Sequence, residues 1–285
     1  MAETDFDVVA LDLDGTVLNS AGNVTETFCA AVHALKKLGV RTVLCTGRRW
    51  RTAVEVIEQV EHADPTVVCC GGALIKEGES HRTLHTLTLE PDTARRTASL
   101  FRSAGLVPLV LRDQPIEGRE LLIAEGDRNR AGELAFVQRN VMAVEYFEGA
   151  FPEEPVEILE VFTVDDVATV RGAEAPIGDA LGADAIVVAM HQPRYGPRAW
   201  VIEVHGPTAT KWSALSWLLK RWQVPSARVV AMGDDVNDVP MLQAAGLSFA
   251  MRNAVPEAKA VADRVTAGND EDGVVQALRS VFPIC

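Results

Sequence analysis

The stretch Val8-Val9-Ala10-Leu11-Asp12-Leu13-Asp14-Gly15-Thr16 constrains this chain more than any other. Its first half is apolar and partly β-branched, the composition of a strand buried on both faces of a parallel sheet. It then ends in two carboxylates and a glycine. Side chains alternate along a strand, so Asp12 and Asp14 leave its end on the same side, where like charges repel. Two readings stay open on these residues alone. Asp-Gly is a common exit from a strand, and the acids can be turn residues. A divalent cation can also offset the repulsion, with one carboxylate left to attack an electrophile and the other to carry a proton.

The surroundings narrow the choice. At 285 residues the chain suggests about two domains. The start, Met1-Ala2-Glu3-Thr4-Asp5, is acidic and lacks the basic, apolar pattern of a signal peptide. No apolar run approaches the roughly 18 residues of a membrane span. Five cysteines, odd in number and without paired metal-ligand spacing, predict free thiols in a reducing compartment. The expected location is cytoplasmic, with no membrane partner. A net charge of −13 argues against nucleic acid, whose backbone demands a basic surface. It leaves room for a small anionic substrate held by a few local cations.

Along the chain, Thr25 is placed to cap a helix in which Phe28, Ala31, Val32, Leu35 and Leu38 recur at helical spacing before Gly39. Val40 to Cys45 reads as a second strand ending at Thr46-Gly47-Arg48. A helix to about Glu61 follows, then a strand from Thr66 to Cys70 that stops at Gly71-Gly72. Strand–helix alternation of this kind predicts a doubly wound parallel sheet, the Rossmann-like α/β class, with ligands beyond the carboxyl ends of its strands. From about residue 85 the rhythm changes to short strands (107–112, 120–124, 143–147, 156–163, 185–190) mixed with helices near 92–104, 128–140 and 165–181. Turn-rich Asp113-Gln114-Pro115 and Pro152-Glu153-Glu154-Pro155 punctuate them. Gln192-Pro193-Arg194-Tyr195-Gly196-Pro197 reads as a linker back, and Trp200 to Val204 as a resumed core strand. The predicted organisation is a core in two parts, 1–84 and 197–285, around an inserted α+β domain at 85–196. Lys211 opens a helix through Trp222, and Val229 to Met232 is a strand ending in Gly233-Asp234-Asp235-Val236-Asn237-Asp238.

Polar stations thus fall at strand ends or helix starts: Asp12 with Asp14, Thr46, Lys211, and Asp234 with Asn237 and Asp238. Alone, Lys211 reads as a solvated helix lysine. Together these are the residue types a phosphoryl-transfer site requires: a nucleophile, a proton carrier, donors to phosphate oxygens and oxygen ligands for a metal. The stretches VALDLDGTVL, VLCTGRR, Lys211 before its helix and GDDVNDVPML resemble the four motifs of the haloacid dehalogenase superfamily. More narrowly, the chain is similar to the Cof-type branch, which carries an α/β cap between core strands. Phe249-Ala250-Met251-Arg252-Asn253-Ala254, Ala262-Asp263 and Asn269-Asp270-Glu271-Asp272-Gly273-Val274 follow that family's C-terminal pattern. The resemblance implies a Mg²⁺-dependent phosphatase acting on a small phosphorylated metabolite, with a sugar phosphate as the expected class. It implies Asp12 as the nucleophile that becomes an aspartyl-phosphate and Asp14 as general acid and base. It places Mg²⁺ on Asp12, the Asp14 backbone carbonyl and Asp234, with Asp238 as a supporting acid of the metal set. Thr46 and Gly47, Lys211 and Asn237 would hold the phosphate, and Arg48 is a possible substrate contact.

Some positions depart from the family pattern. Gly71-Gly72-Ala73 stands where Asn-Gly-Ala is common, Trp212 follows Lys211 in place of glycine, and Arg252 precedes Asn253-Ala254. Asp235 reads as a bystander, Arg49 as a second arginine at the mouth, and His191 and His205 as structural residues flanking the return strand. Trp212, Trp217 and Trp222 read as core packing on one helix. Two other functions fit the same motifs: a sugar phosphomutase or phosphotransferase, and a non-catalytic sugar-phosphate-binding protein.

Overall fold

The structure, a computed structural model, describes residues 5–60, 64–115, 117–152, 156–192 and 195–284. Its strands are β1 (Val8–Asp12), β2 (Arg41–Cys45), β3 (Thr66–Cys69), β4 (Leu74–Glu77), β5 (Thr83–Thr86), β6 (Leu109–Arg112), β7 (Leu121–Ala124), β8 (Val144–Phe147), β9 (Ile158–Asp165), β10 (Ile186–His191), β11 (Trp200–His205), β12 (Val229–Gly233), β13 (Leu247–Ala250) and β14 (Arg264–Val265). They form two sheets in two compact units, Met1–His85 with Thr210–Cys285, and Thr86–Ala209. Among the described residues, no helix is long and apolar enough to cross a membrane.

The first unit grows from β1, all five residues of which are buried. The chain runs outward from it through β2 and β3, then returns to its other flank at β12 and runs outward again. The strand order is β14-β13-β12-β1-β2-β3-β4-β5. All strands from β14 to β3 pair in parallel, and β4 pairs antiparallel with β3. The order reverses between β1 and β12, where Leu11 pairs with Met232, and a crevice at such a switch point is where α/β sheets bind ligands. The helix Glu26–Lys37 covers the sheet with Phe28, Ala31, Val32 and Leu35, and the Thr25 side chain caps it by accepting from the Phe28 amide.

The β4 and β5 strands have no counterpart in the sequence reading. They are short, and the charged Lys76 in β4 disguises a buried element: it is only 4% exposed, donates to Thr83 Oγ1 at 2.7 Å and lies over the Trp50 ring. The helix expected to reach Glu61 spans Trp50–Ile57, and Glu61 itself lies outside the described residues. The three tryptophans of Lys211–Trp222 are half-buried flank residues, and Ala214, Leu215, Leu218 and Leu219 do the packing. Trp217 stacks on His85 at 4.5 Å, and Trp222 lies under the Arg41 guanidinium.

The second unit is a sheet of order β10-β11-β9-β6-β7-β8, antiparallel except for β7 with β8. One face packs Val110, Val161, Ile202 and Val204 against Phe101 of the helix Pro91–Ser103 and Val170 and Ile177 of Val167–Leu181. The expected helix over 128–140 is two short ones, Arg128–Glu133 and Ala135–Arg139, separated by Leu134 in an extended conformation. Of the turn Pro152–Pro155, residues 153–155 lie outside the described residues.

The predicted boundary at 196/197 falls instead at 209/210, because β11 belongs to the second sheet. It lies between β10 and β9, antiparallel to both. Gln192–Pro197 is therefore a hairpin loop, closed where the Gln192 amide donates to the Ala199 carbonyl, with Pro193 and Arg194 outside the described residues. A buried apolar run has the same composition in either sheet, so composition could not say which one Trp200–His205 joins.

On β11, Glu203 and His205 share a face, and Glu160 on β9 stands opposite His205. All three are buried. His205 Nδ1 lies 3.4 Å from Glu160 Oε2, and Nε2 lies 3.5 Å from Glu203 Oε2. Burial disfavours the imidazolium, but the Glu203 and Glu160 carboxylates outweigh it and raise the His205 pKa above 6.5. A raised folded-state pKa contributes stability that is complete below pH 6.5 and is lost as pH rises through the folded value. His205→Gln should therefore lower the melting temperature more at pH 6 than at pH 9. Equal losses at the two pH values would confine the imidazole's contribution to packing.

Candidate active site

The sheet brings Asp12, Lys211, Asp234, Asn237 and Asp238 together at the β1/β12 switch point. Asp12, the last residue of β1, is 5% exposed, and its register partner on β2 is Cys45, after which comes fully buried Thr46. The Thr46 amide donates to the Val68 carbonyl, and its Oγ1 accepts from the Arg48 amide at 3.0 Å, so the turn after β2 is pinned to β3. Lys211 begins its helix after Thr210, whose hydroxyl accepts from the Ser213 amide at 3.0 Å. That helix start is packed onto Gly72, which has φ +126°. A Cβ there would stand 2.3 Å from the Thr210 carbonyl carbon, so only glycine fits.

Lys211 is 2% exposed, and its Nζ donates to Asp12 Oδ1 at 2.6 Å, Asp238 Oδ1 at 2.6 Å and Asn237 Oδ1 at 3.1 Å. The bland reading of this lysine as a solvated helix residue is thereby overturned. Asp238 is wholly buried, and its second oxygen accepts from the amides of Asp234 and Asp235 at 3.0 and 3.1 Å. It therefore ties the lysine to the loop after β12. Asp235, read as a bystander, caps the turn Val236–Asp238 through the Val236 amide. Asp234 Oδ1 accepts from Thr16 Oγ1 at 3.1 Å. Gly15, at φ +82°, lets the Asp14-Gly15-Thr16 turn approach so closely that a Cβ would lie 2.2 Å from Asp234 Oδ2. Thr16 was not singled out from sequence, although its place directly after Asp-Gly was the available signal.

The Asp14 carboxylate is not among the partners of Lys211. It is half exposed and is gripped by Arg48, with Nε to Oδ2 at 2.9 Å and Nη2 to Oδ1 at 2.7 Å. Arg48, expected as a substrate contact, is turned to this aspartate. Arg49, expected at the mouth, is 2% exposed, and Gly47 follows Thr46 with open space beside its Cα.

Oxygens of Asp12, Asp234 and Asp238 lie within 4.8 Å of one another. Burial pushes the Asp12 pKa well above 3.8; Lys211 opposes this, while Asp238 and Asp234 add to it. Asp234 is pushed up to about 6 by burial and by Asp238, against Thr16 and Lys211. Lys211 is disfavoured by burial, but Asp12 and Asp238 outweigh that and raise its pKa above the ordinary lysine value. Three carboxylates around one ammonium leave surplus negative charge on hard oxygen donors. That donor set fits a small divalent cation and gives a thiophilic metal no sulfur or imidazole. Glu160, Glu203 and His205 form a second metal-type group, but the two ring nitrogens face different carboxylates. A cation on one ring nitrogen or an imidazolium would each offset the two carboxylates, and the raised His205 pKa favours the imidazolium.

A model of the haloacid dehalogenase-like hydrolases matches residues 9–278. The sequence is 28% identical over 299 residues to phosphatase YwpJ of Bacillus subtilis strain 168, covering 96% of this chain and 99% of that one. It is 26% identical over 284 residues to 5-amino-6-(5-phospho-D-ribitylamino)uracil phosphatase YitU of the same bacterium, covering 99% and 100%. A crystal structure of a haloacid dehalogenase-like hydrolase from Bacteroides thetaiotaomicron superposes with a TM-score of 0.77, at 23% identity, over 97% of this chain and 100% of that one.

The charge balance sets a test of cation binding apart from activity. With its pKa pushed up to about 6, Asp234 takes up a proton as pH falls toward that value, and the proton would compete with a bound cation. Millimolar Mg²⁺ should raise the melting temperature at pH 7.5 and raise it less at pH 5, and Asp234→Asn should shrink the pH 7.5 shift. An equal shift at both pH values would place the ion elsewhere.

Proposed function

The chain belongs to the haloacid dehalogenase-like hydrolase family and is a phosphoric monoester hydrolase, and we propose that it is a Mg²⁺-dependent phosphatase using Asp12 as nucleophile. The observation that carries this reading is the buried Lys211 held between Asp12 and Asp238 at the sheet's switch point. Asp12 presents a carboxylate whose position is set by that ammonium. Its attack on phosphorus would release the alcohol and leave an aspartyl-phosphate, which water then hydrolyses. Lys211 lowers the cost of bringing an anionic phosphoryl group against an anionic nucleophile, the electrostatic work on which phosphoryl transfer chiefly depends. Thr46 donates its hydroxyl to a phosphate oxygen, and the Gly47 backbone, free of a side chain, allows close approach. Asn237 completes the phosphate-binding set beside Lys211. Asp14 gives a proton to the leaving oxygen and then takes one from the attacking water.

Asp12, the Asp14 carbonyl and Asp234 would hold the cation. Bound there, it supplies positive charge to the phosphoryl oxygens and orients the group for in-line attack. Asp238 supports this set by fixing Lys211 and the loop that carries Asp234. The proposed substrate is a small phosphorylated metabolite of the sugar- or polyol-phosphate class. Support for that class comes from the family and from a relative named for a phosphorylated ribityl compound.

A panel of phosphorylated metabolites with Mg²⁺, scored by phosphate release, tests the reading directly. Activity should vanish in excess chelator, return with Mg²⁺ and return poorly with Zn²⁺. Asp12→Asn should lower turnover of every ester by at least about a thousandfold. Asp14→Asn should cost an alkyl ester about two to four orders of magnitude, because an alkoxide needs a proton to leave. A p-nitrophenyl ester should still phosphorylate Asp12, giving a burst of nitrophenol and a phosphate adduct in the intact mass. Equal losses for both esters without an adduct would make Asp14 structural.

A further inference from the structure

The Asp14 carboxylate is half exposed on a turn, where a short side chain would ordinarily sample several rotamers. Here it meets a guanidinium fork through both oxygens, at 2.7 and 2.9 Å. The arginine is itself held. Its amide donates to Thr46 Oγ1, its carbonyl accepts from the Cys70 amide at 2.9 Å, and Nη1 reaches the Thr52 carbonyl at 3.4 Å. Its side chain is only 15% exposed, so this pair is not two mobile surface chains in water. A forked, partly buried Arg–carboxylate pair has the directional strength that surface ion pairs lack. The fork occupies one acceptor position on each carboxylate oxygen and so sets the plane of the group.

We propose that Arg48 is the positioning residue for Asp14, acting on the reaction through that carboxylate. The inference rests on the proton-handling role proposed above for Asp14. It differs from the expectation that arginine at this position touches substrate, since the two make opposite predictions once Asp14 is absent. The fork also links the turn after β1 to the turn after β2, so the Arg48 side chain ties Asp14 to the turn that carries Thr46.

The experiment is a double-mutant cycle in the full chain with Mg²⁺, using β-glycerophosphate as an alkyl ester and p-nitrophenyl phosphate as an activated one. Arg48→Ala should lower kcat for the alkyl ester by about ten- to a hundredfold, with KM changing less than about threefold. The loss should be smaller for the p-nitrophenyl ester, as for Asp14 itself. In an Asp14→Ala background, Arg48→Ala should cost less than about threefold more. Added guanidinium ion should restore part of the kcat of Arg48→Ala, and none in the double variant. Losses that multiply, or a rise in KM with kcat unchanged, would show that Arg48 acts independently of Asp14 and overturn the proposal. A full-rate Asp14→Ala enzyme would instead remove the role assigned to Asp14. Guanidinium rescue at unchanged melting temperature separates positioning from a loss of folded protein.

Discussion

The first unit depends on one buried ammonium. Lys211 is taken out of water at a helix start, which is costly for an unpaired charge and acceptable only because Asp12 and Asp238 each meet it at 2.6 Å. Three elements are thereby fixed to one another: the end of β1, the loop after β12 and the helix Lys211–Trp222. Removing the ammonium would leave two buried carboxylates facing each other, a loss of about 3–5 kcal/mol by the usual behaviour of broken buried pairs. The same arrangement that is expensive to bury is the one the proposed mechanism uses to bring Asp12 against an anionic phosphoryl group.

The glycines around this contact are consequences of it. Lys211 can begin its helix against the end of β3 only if Gly72 leaves room for the Thr210 backbone. That requirement falls on the second glycine of Gly71-Gly72, the position where the family pattern also has glycine. Asp234 likewise comes beside the β1 turn because Gly15 has no side chain to meet it. The turn is further tied down by C-terminal residues: Asn253 Nδ2 donates to the Gly15 carbonyl, and Asn269 Nδ2 to the Leu18 carbonyl. Arg252, a departure from the family pattern, forms an exposed ion pair with Glu271 and lies on this same tying segment.

The second unit uses a different solution for its polar interior. Its helix-covered face is apolar, while the other face of β9 and β11 buries two glutamates and a histidine. Only the protonated imidazole offsets both carboxylates, so this part of the fold loses a contribution as pH rises, whereas the carboxylates of the lysine-centred site take up protons as pH falls.

The local motifs were legible from residues because strand-then-turn chemistry is local. An apolar run ending in Asp-Leu-Asp-Gly, a Thr-Gly-Arg after a second run and Gly-Asp-Asp after a third each name a strand and its exit. In a parallel sheet all such exits lie at one edge, so their meeting follows from strand direction alone. The tertiary structure decided what chain-local signals cannot carry. Trp200–His205 joins the second sheet because its partners, β9 and β10, offer free ladders there, whereas its own composition fits either sheet. Lys76 lies over the Trp50 ring, 26 residues earlier, beyond any local window around it. Arg48 turns to Asp14, 34 residues earlier, because the turns after β1 and β2 are brought side by side. The sequence by itself determined which polar groups stand at which strand ends. Which of them are paired, and hence which charge each carries, depended on distances between residues far apart in the chain, and only folding sets those.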